Sequence, residues 1–246
     1  MNYANILKPY VYKDEEARDA HGRWTKTGTN LGSNPGGAHT SPTGEKHYVK
    51  FPPNEQQIHS EVAADKIHEL VGGKTINHEV KEVNGKLASV TKWNSDLKPL
   101  GRQGWKNMDD KQKQQAANIF IGSALTNNHD VVGLVQDNMC KDSKNDIHIV
   151  DTGGAFKFRA QGGPKDFNPD ANKEIDFFLN PEKTSGRAFG PIMKSNPEMF
   201  TKAAEPLKGI TREHFEKATV GMKDQKQIVD TLMQRRDSIM ARFGIK

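Results

Sequence analysis

Residues 126–154 read TNNHDVVGLVQDNMCKDSKNDIHIVDTGG, a stretch that sets acids and an amide around one short strand. The run Ile147-His148-Ile149-Val150 is β-rich and short, so it reads as a strand that hands over to Asp151. Thr152-Gly153-Gly154 then forces a turn. Upstream, Asp137-Asn138 precedes a second short apolar stretch, and the polar residues 141–146 make a hairpin-like reversal between the two. Asn138 and Asp151 are thereby expected side by side at the mouth of a β-ribbon. A side-chain amide oxygen and a carboxylate are hard oxygen ligands, the kind Mg²⁺ takes when water and phosphate complete its octahedron. His129-Asp130 adds a further carboxylate. Taken alone, Asp137-Asn138 and the Asp151 turn also suit ordinary turns that close two strands, since Asp, Asn and Gly populate turns for local reasons.

Moving towards the N-terminus, residues 111–125 carry Ala116, Ala117, Phe120, Ile121, Ala124 and Leu125 at helical spacing, which predicts a buried helix leading into Asn127 and Asp130. Before it lie two β-rich runs, residues 75–80 and 86–93, joined by Asn84-Gly85, the strongest short hairpin signal. Residues 55–71 read as an amphipathic helix with Ile58, Val62, Ile67 and Leu70 on its apolar side and Glu61 beside that stripe. Residues 47–51 alternate as a strand, with Tyr48 and Lys50 on one face and Val49 and Phe51 on the other. The glycine-rich run Gly32-Ser33-Asn34-Pro35-Gly36-Gly37 precedes that strand and reads as a turn whose backbone N–H groups can approach phosphate oxygens. It is not a Walker A sequence, because no Gly-Lys-Ser/Thr follows. Downstream of Asp151, Lys157 and Arg159 sit in an alternating stretch, and residues 212–219 and 225–243 are helical, with an apolar face that includes Ile228, Val229, Leu232 and Ile239.

The order of these parts resembles the protein-kinase-like superfamily, in its distant members: HipA-type and phosphatidylinositol-kinase-like enzymes and the small bacterial effector or phage-encoded kinases. The resemblance implies an α+β, minimal bilobal fold, with a small antiparallel β N-lobe over residues 30–93 and a mainly helical C-lobe over residues 94–246. It implies an ATP- and Mg²⁺-dependent phosphotransferase that moves the γ-phosphate to a hydroxyl acceptor on a protein of a host cell. The implied roles are as follows: the loop residues Gly32, Ser33, Asn34, Gly36 and Gly37, with Lys50, hold the triphosphate; Glu61 holds Lys50, with Glu55 and Glu69 as alternatives at the helix ends; Thr91 lies in the hinge against adenine; Asn138 and Asp151 hold the metal; and Asp130 orients the acceptor. One departure stands out. The family's catalytic Asp lies five residues before the Asn, where this chain has Gly133, and Asp130 lies eight before Asn138. Asp137, adjacent to Asn138, is the rival for that role, although successive side chains in extended backbone point opposite ways.

Two other classes stay open. A metal-dependent phosphohydrolase would use His129-Asp130 as an HD pair with His59, His68 or His148, and a non-catalytic phage structural or pseudokinase module would use none of these groups. Residues 1–29 read as a polar arm without periodicity, and its Arg18-Asp19-Ala20-His21-Gly22-Arg23-Trp24 run is similar to a short motif of phage head and portal-associated proteins, which implies attachment to a virion component. The 246 residues suffice for a proper core, while a mean hydropathy of −0.80 excludes a dense apolar protein. No apolar run approaches the ~18 residues of a membrane span, and a single cysteine, Cys140, excludes a disulfide framework and fits a cytoplasmic setting. The net charge of +5 is spread among interspersed acids and bases, so nucleic-acid binding is not expected.

Overall fold

The computed structural model describes residues 23–28 and 35–246. Its first lobe is a five-stranded antiparallel sheet in the order β1-β2-β3-β5-β4, formed by Thr25–Lys26 (β1), Gly36–Thr40 (β2), Lys46–Lys50 (β3), Glu79–Val83 (β4) and Lys86–Lys92 (β5). The β4–β5 hairpin closes at Asn84-Gly85 with φ of 51° and 78°, the left-handed pair that this dipeptide supplies at low cost. Residues 75–78, expected as strand, are not part of the ladder. The lobe has a small core of its own in which Val49, Val83, Ala88 and Val90 meet Trp24 and Phe51. Between β3 and β4 runs helix α1, Glu55–Leu70, started by Asn54, whose side chain accepts from the Gln56 N–H at 2.9 Å.

The arm expected over residues 1–29 has to be shortened. Thr25–Lys26 pairs with His39 and Thr40 of β2, and Trp24 exchanges two hydrogen bonds with the Asn84 side chain and stacks edge-on against His47 at 5.1 Å. A large aromatic and a ladder partner were enough to recruit this piece into the sheet. The remainder of the arm, including Arg18 to Gly22 of the phage-like run, lies outside the described residues, as do Gly32, Ser33 and Asn34.

The second lobe is built around α3, Asp110–Thr126, which opens with a reciprocal capping box between Asp109 and Gln112 and closes at Asn127 in the left-handed region, φ 58°. Phe120 of α3 meets Phe178, Phe189 and Phe200 edge-on at 5.4, 5.1 and 5.0 Å; removing a ring of this kind typically costs about 3–5 kcal/mol. Those rings arrive on α4 (Asn172–Leu179), α5 (Thr184–Ser195) and α6 (Pro197–Ala204); α2 (Gly101–Lys106), α7 (Arg212–Ala218) and α8 (Gln225–Arg242) complete the lobe. Helix α1 joins the same core through Ala63, Ala64 and Ile67. It lies close enough to α3 that a Cβ on Gly122 would come within 2.2 Å of His68 Nδ1. A short sheet, β6 (Lys98–Pro99), β7 (Met139–Lys141) and β8 (Ile147–Ile149), flanks α3. The fully buried Arg235 of α8 donates to the carbonyls of Ala124, Leu125 and Asn168 and pairs with Glu174 at 3.0 Å. The last carbonyls of a helix have no partner within it, so Arg235 fixes the end of α3 where the next loop departs. Among the described residues no helix is long and apolar enough to cross a membrane.

Candidate active site

Strand alternation puts Val49 into the small core and turns Lys50 to the other face, towards α1. There the Lys50 ammonium lies 2.6 Å from Glu61 Oε1 and 3.5 Å from Asp151 Oδ1. Burial by itself pushes the Lys50 pKa down, but Asp151 and Glu61 outweigh it and hold the ammonium above its ordinary value. Burial likewise pushes Glu61 up, and His78 together with Lys50 overcomes this and keeps the carboxyl below its usual range. A strand, a helix and a turn, drawn from residues as far apart as 50 and 151, thus converge on one charge cluster, with Lys50 and Glu61 buried and Asp151 at its open edge.

Behind Lys50 the cluster continues. His78, buried between α1 and β4, places Nε2 3.3 Å from Glu61 Oε1 and Nδ1 2.9 Å from Asp65 Oδ2. Burial lowers its pKa, but Glu61 and Asp65 together raise it above the ordinary value, so the imidazolium is favoured. The Thr152 hydroxyl donates to Asp65 Oδ1 at 2.8 Å, and Gln57 Nε2 donates to the Gly153 carbonyl at 2.9 Å. One face of α1 therefore holds both Lys50 and the turn after Asp151. Gln57, Glu61 and Asp65 stand four residues apart, and this polar repeat on a buried helix face was a signal that could have found Gln57 and Asp65. His78 and Lys165 had no such local signature.

The loop after α3 and the β7–β8 ribbon supply the other side. The Val150 N–H donates to the Asn138 carbonyl at 2.9 Å and Met139 pairs with Ile149, which sets Asn138 and Asp151 at the same end of the ribbon. The Asn138 Nδ2 donates to the Asp130 carbonyl at 2.6 Å, so that Oδ1 is the atom of this amide that could hold a cation. Asp151 accepts the Gly153 N–H on Oδ1 at 3.0 Å, and its carbonyl receives Asn128 Nδ2 at 3.3 Å. Between Asp130 and Asn138 the chain is a compact turn: Gly133 has φ 77° and Gln136 φ 64°, and the Asn138 N–H reaches back to the Val132 carbonyl at 3.2 Å. A side chain at Gly133 would meet Asp137 Oδ1 at 2.3 Å. The Asp130 carboxyl is pushed up to about 6, first by burial and then by the negative charge of Asp151. Asp137 is also raised, by burial and, more weakly, by Asp151. Gln136, just before Asp137, is left-handed, so the segment is not the extended chain on which the expected alternation of Asp137 and Asn138 rested, and the charge of Asp151 acts on both Asp130 and Asp137.

Several expected residues sit elsewhere. Gly36 and Gly37 are not a phosphate-facing turn but lie within β2, opposite Lys50 and Val49. A Cβ on Gly36 would fall 2.0 Å from the Val49 carbonyl, so glycine is needed there for strand approach. Thr91 is not in a connecting hinge; it is buried in β5, paired with Tyr48, and its hydroxyl donates to the Ile76 carbonyl at 2.6 Å. Lys157 reaches Gln227 and Asp224 at the start of α8. The groups considered for an HD-type site do not gather. His129 stacks on Phe177 at 4.7 Å, His68 packs on Gly122, and His148 bonds Thr75 and Asp142. Among the described residues no three His, Cys, Asp or Glu side chains form a metal-binding group. A cleft of about 200 Å³ opens beside the cluster, lined by His129, Asp130, Gly154, Arg159, Ala160 and Lys165. Burial pushes the Lys165 ammonium down to about 7, with Glu174 opposing.

A small antiparallel lobe, a helical lobe and a lysine–glutamate–aspartate cluster where they meet define a bilobal, kinase-like α+β fold. The solved structure of the proinflammatory kinase CtkA of Helicobacter pylori shares it, with a TM-score of 0.57 at 14% identity over 89% of this chain and 92% of that one. A fragment of LepB from Legionella pneumophila aligns over 82% of this chain and 46% of that one, with a TM-score of 0.43 at 12% identity. No protein family matches the sequence, and no curated protein matches it either.

Proposed function

We propose that the chain is an ATP- and Mg²⁺-dependent phosphotransferase that moves the γ-phosphate to a hydroxyl on a protein acceptor. The observation that carries the reading is the buried Lys50 ammonium, held 2.6 Å from Glu61 and 3.5 Å from Asp151. A lysine fixed at the inner edge of a β lobe by a helix glutamate is suited to orient the α and β phosphates of ATP. The kinase among the solved structures that share this fold agrees with it.

The donor set fits Mg²⁺. Asn138 Oδ1 and the Asp151 carboxylate are hard oxygens at one end of a ribbon, and Asp130 and Asp137, raised first by burial and then by the charge of Asp151, add negative charge that a divalent cation would relieve. Bound there, the ion would neutralise charge developing on the transferred phosphoryl group. Asp130 lines the cleft in which an acceptor hydroxyl would lie, and orients it and takes up its proton. Lys50 holds the triphosphate in line, and Glu61, tied to Asp65 through His78, keeps Lys50 in place. The acceptor belongs to a host cell, and the N-terminal arm, residues 1–29, would serve attachment to a virion component, the role that its resemblance implies.

Thermal shift with ATP and Mg²⁺, separately and together, tests the reading. The proposal requires stabilisation that needs both; at free ligand 100-fold above Kd the gain is about 2.7 kcal/mol. A response to metal alone would favour a hydrolase, and a response to neither a structural module.

A further inference from the structure

We infer that Lys165 is a positioning residue: its ammonium ties the loop that carries Asp130 to the turn that carries Asp151, and thereby sets the spacing between acceptor base and metal ligand. The catalytic consequence rests on the phosphotransferase reading; the tie itself does not.

The Lys165 Nζ donates to the carbonyls of Asn127 and of Gly154, the latter at 2.5 Å. Asn127 lies three residues before Asp130 and Gly154 three after Asp151, so one ammonium holds both approaches to the site. Asn127 returns the tie, because its Nδ2 donates to the carbonyls of Phe156 at 3.2 Å and Asp166 at 2.8 Å. Its left-handed φ of 58° aims the carbonyl and the side chain at the same segment. That segment is folded back on itself, with the Arg159 N–H on the Gly163 carbonyl at 2.7 Å, a bridge between Phe158 and Pro164, and the Lys165 N–H on the Lys157 carbonyl at 2.8 Å. Lys165 is thus presented by a tight hairpin and lies beside Asp130 in the same cleft.

Kinase-like enzymes commonly order the segment after the metal-binding Asp by phosphorylating it, which creates new ion pairs. This chain has no Ser, Thr or Tyr between residues 153 and 183, and the hydroxyl of Thr152 is buried and already bonded to Asp65. Phosphorylation therefore has no acceptor there. Lys165, donating to two main-chain carbonyls, takes over the ordering role, and the segment needs no modification to reach its working arrangement.

The test compares wild type with Lys165→Met and Lys165→Arg by hydrogen exchange and by transfer kinetics. Lys165→Met is expected to speed exchange by at least about tenfold in peptides covering residues 126–131 and 152–158, with β3 and α1 unchanged. It should lower kcat by about 10²-fold, the cost of a displacement near 1 Å, and leave KM for ATP within about threefold. Lys165→Arg, which can still donate to both carbonyls, should recover at least about a tenth of the rate. Phosphatase treatment of wild type should not change turnover. Unchanged exchange in the two peptides, a uniform rise across the chain, or near-normal kcat in Lys165→Met would each overturn the inference. Should Lys165→Met not fold, Lys165→Gln is read in the same way, and failure of both to fold would assign Lys165 to global stability and overturn it too. Absence of any transfer by wild type would sink the phosphotransferase reading, while the exchange arm still judges the tie.

Discussion

Replacing Asp130 by Asn should abolish phosphoryl transfer and at the same time stabilise the fold. Asp130 stands partly buried beside Asp151, and burial first, then the charge of Asp151, lift its carboxyl from 3.8 to about 6. A folded-state value above the unfolded one means that the folded protein binds this proton more tightly. The group therefore costs nothing below pH 4, costs more as the pH rises from about 4 to 6, and costs its full amount above that. The shift is about two units at about 1.36 kcal/mol each, so ionised Asp130 carries a penalty of at most about 3 kcal/mol, and solvent screening trims it to about 1–3 kcal/mol. Asn keeps the shape without the charge. In EDTA and without nucleotide, Asp130→Asn should melt on the order of 5 °C higher than wild type at pH 7.5. At pH 5 the difference should fall to roughly half, because wild-type Asp130 is then mostly protonated in the folded state. Affinity for ATP and Mg²⁺ should change little, whereas single-turnover transfer should drop by about 10²- to 10⁴-fold. A variant that melts no higher than wild type at pH 7.5, or a gain that does not respond to pH, would refute the account of Asp130 as a repelled carboxylate at the site.

Lys50→Met and Asp151→Asn should each lose more than about 10²-fold in transfer while retaining cooperative melting, and near-normal turnover of Asp151→Asn in a labelled-ATP assay would end the kinase reading. His78→Leu leaves Glu61 and Asp65 buried with one cation fewer and should cost about 3–5 kcal/mol in urea unfolding; a loss below about 1 kcal/mol would show that the imidazole is not paired. Because the His78 pKa is raised on folding, its contribution is complete below pH 6.5 and should disappear as the pH rises through the folded value, which a pH series of wild type against His78→Leu would reveal. Removal of residues 1–28 takes away β1 and Trp24 and should lower the melting temperature by several degrees, in contrast to removal of a detached arm; an unchanged melt would show that β1 adds nothing to the sheet.

Much of this architecture was legible because it is local. The Asn84-Gly85 hairpin, the capped helices α1 and α3, and the ribbon end that seats Asn138 beside Asp151 each follow from a few adjacent residues, whose φ preferences, caps and apolar spacing act over one or two turns of chain. The order of Lys50, Glu61, Asp130, Asn138 and Asp151 was readable for the same reason, since each sits at a recognisable point of its own element. What misled was context. Gly36 and Gly37 have the composition of a turn, yet they pair with Lys50 and Val49 as part of β2, and the close approach to the Val49 carbonyl is what requires glycine at position 36. Gln136 hides its left-handed φ in an ordinary residue name, and so breaks the extended backbone expected just before Asp137. His78 and Lys165 acquire their roles only from partners far away in the chain, Glu61 and Asp65 for one, Asn127 and Gly154 for the other. Sequence by itself determined which elements form and in what order they carry charged groups. Tertiary packing decided which of those groups meet in a low-dielectric interior, where a buried charge is tolerated only beside its partner, and a partner many residues away leaves no mark on the residues next to it.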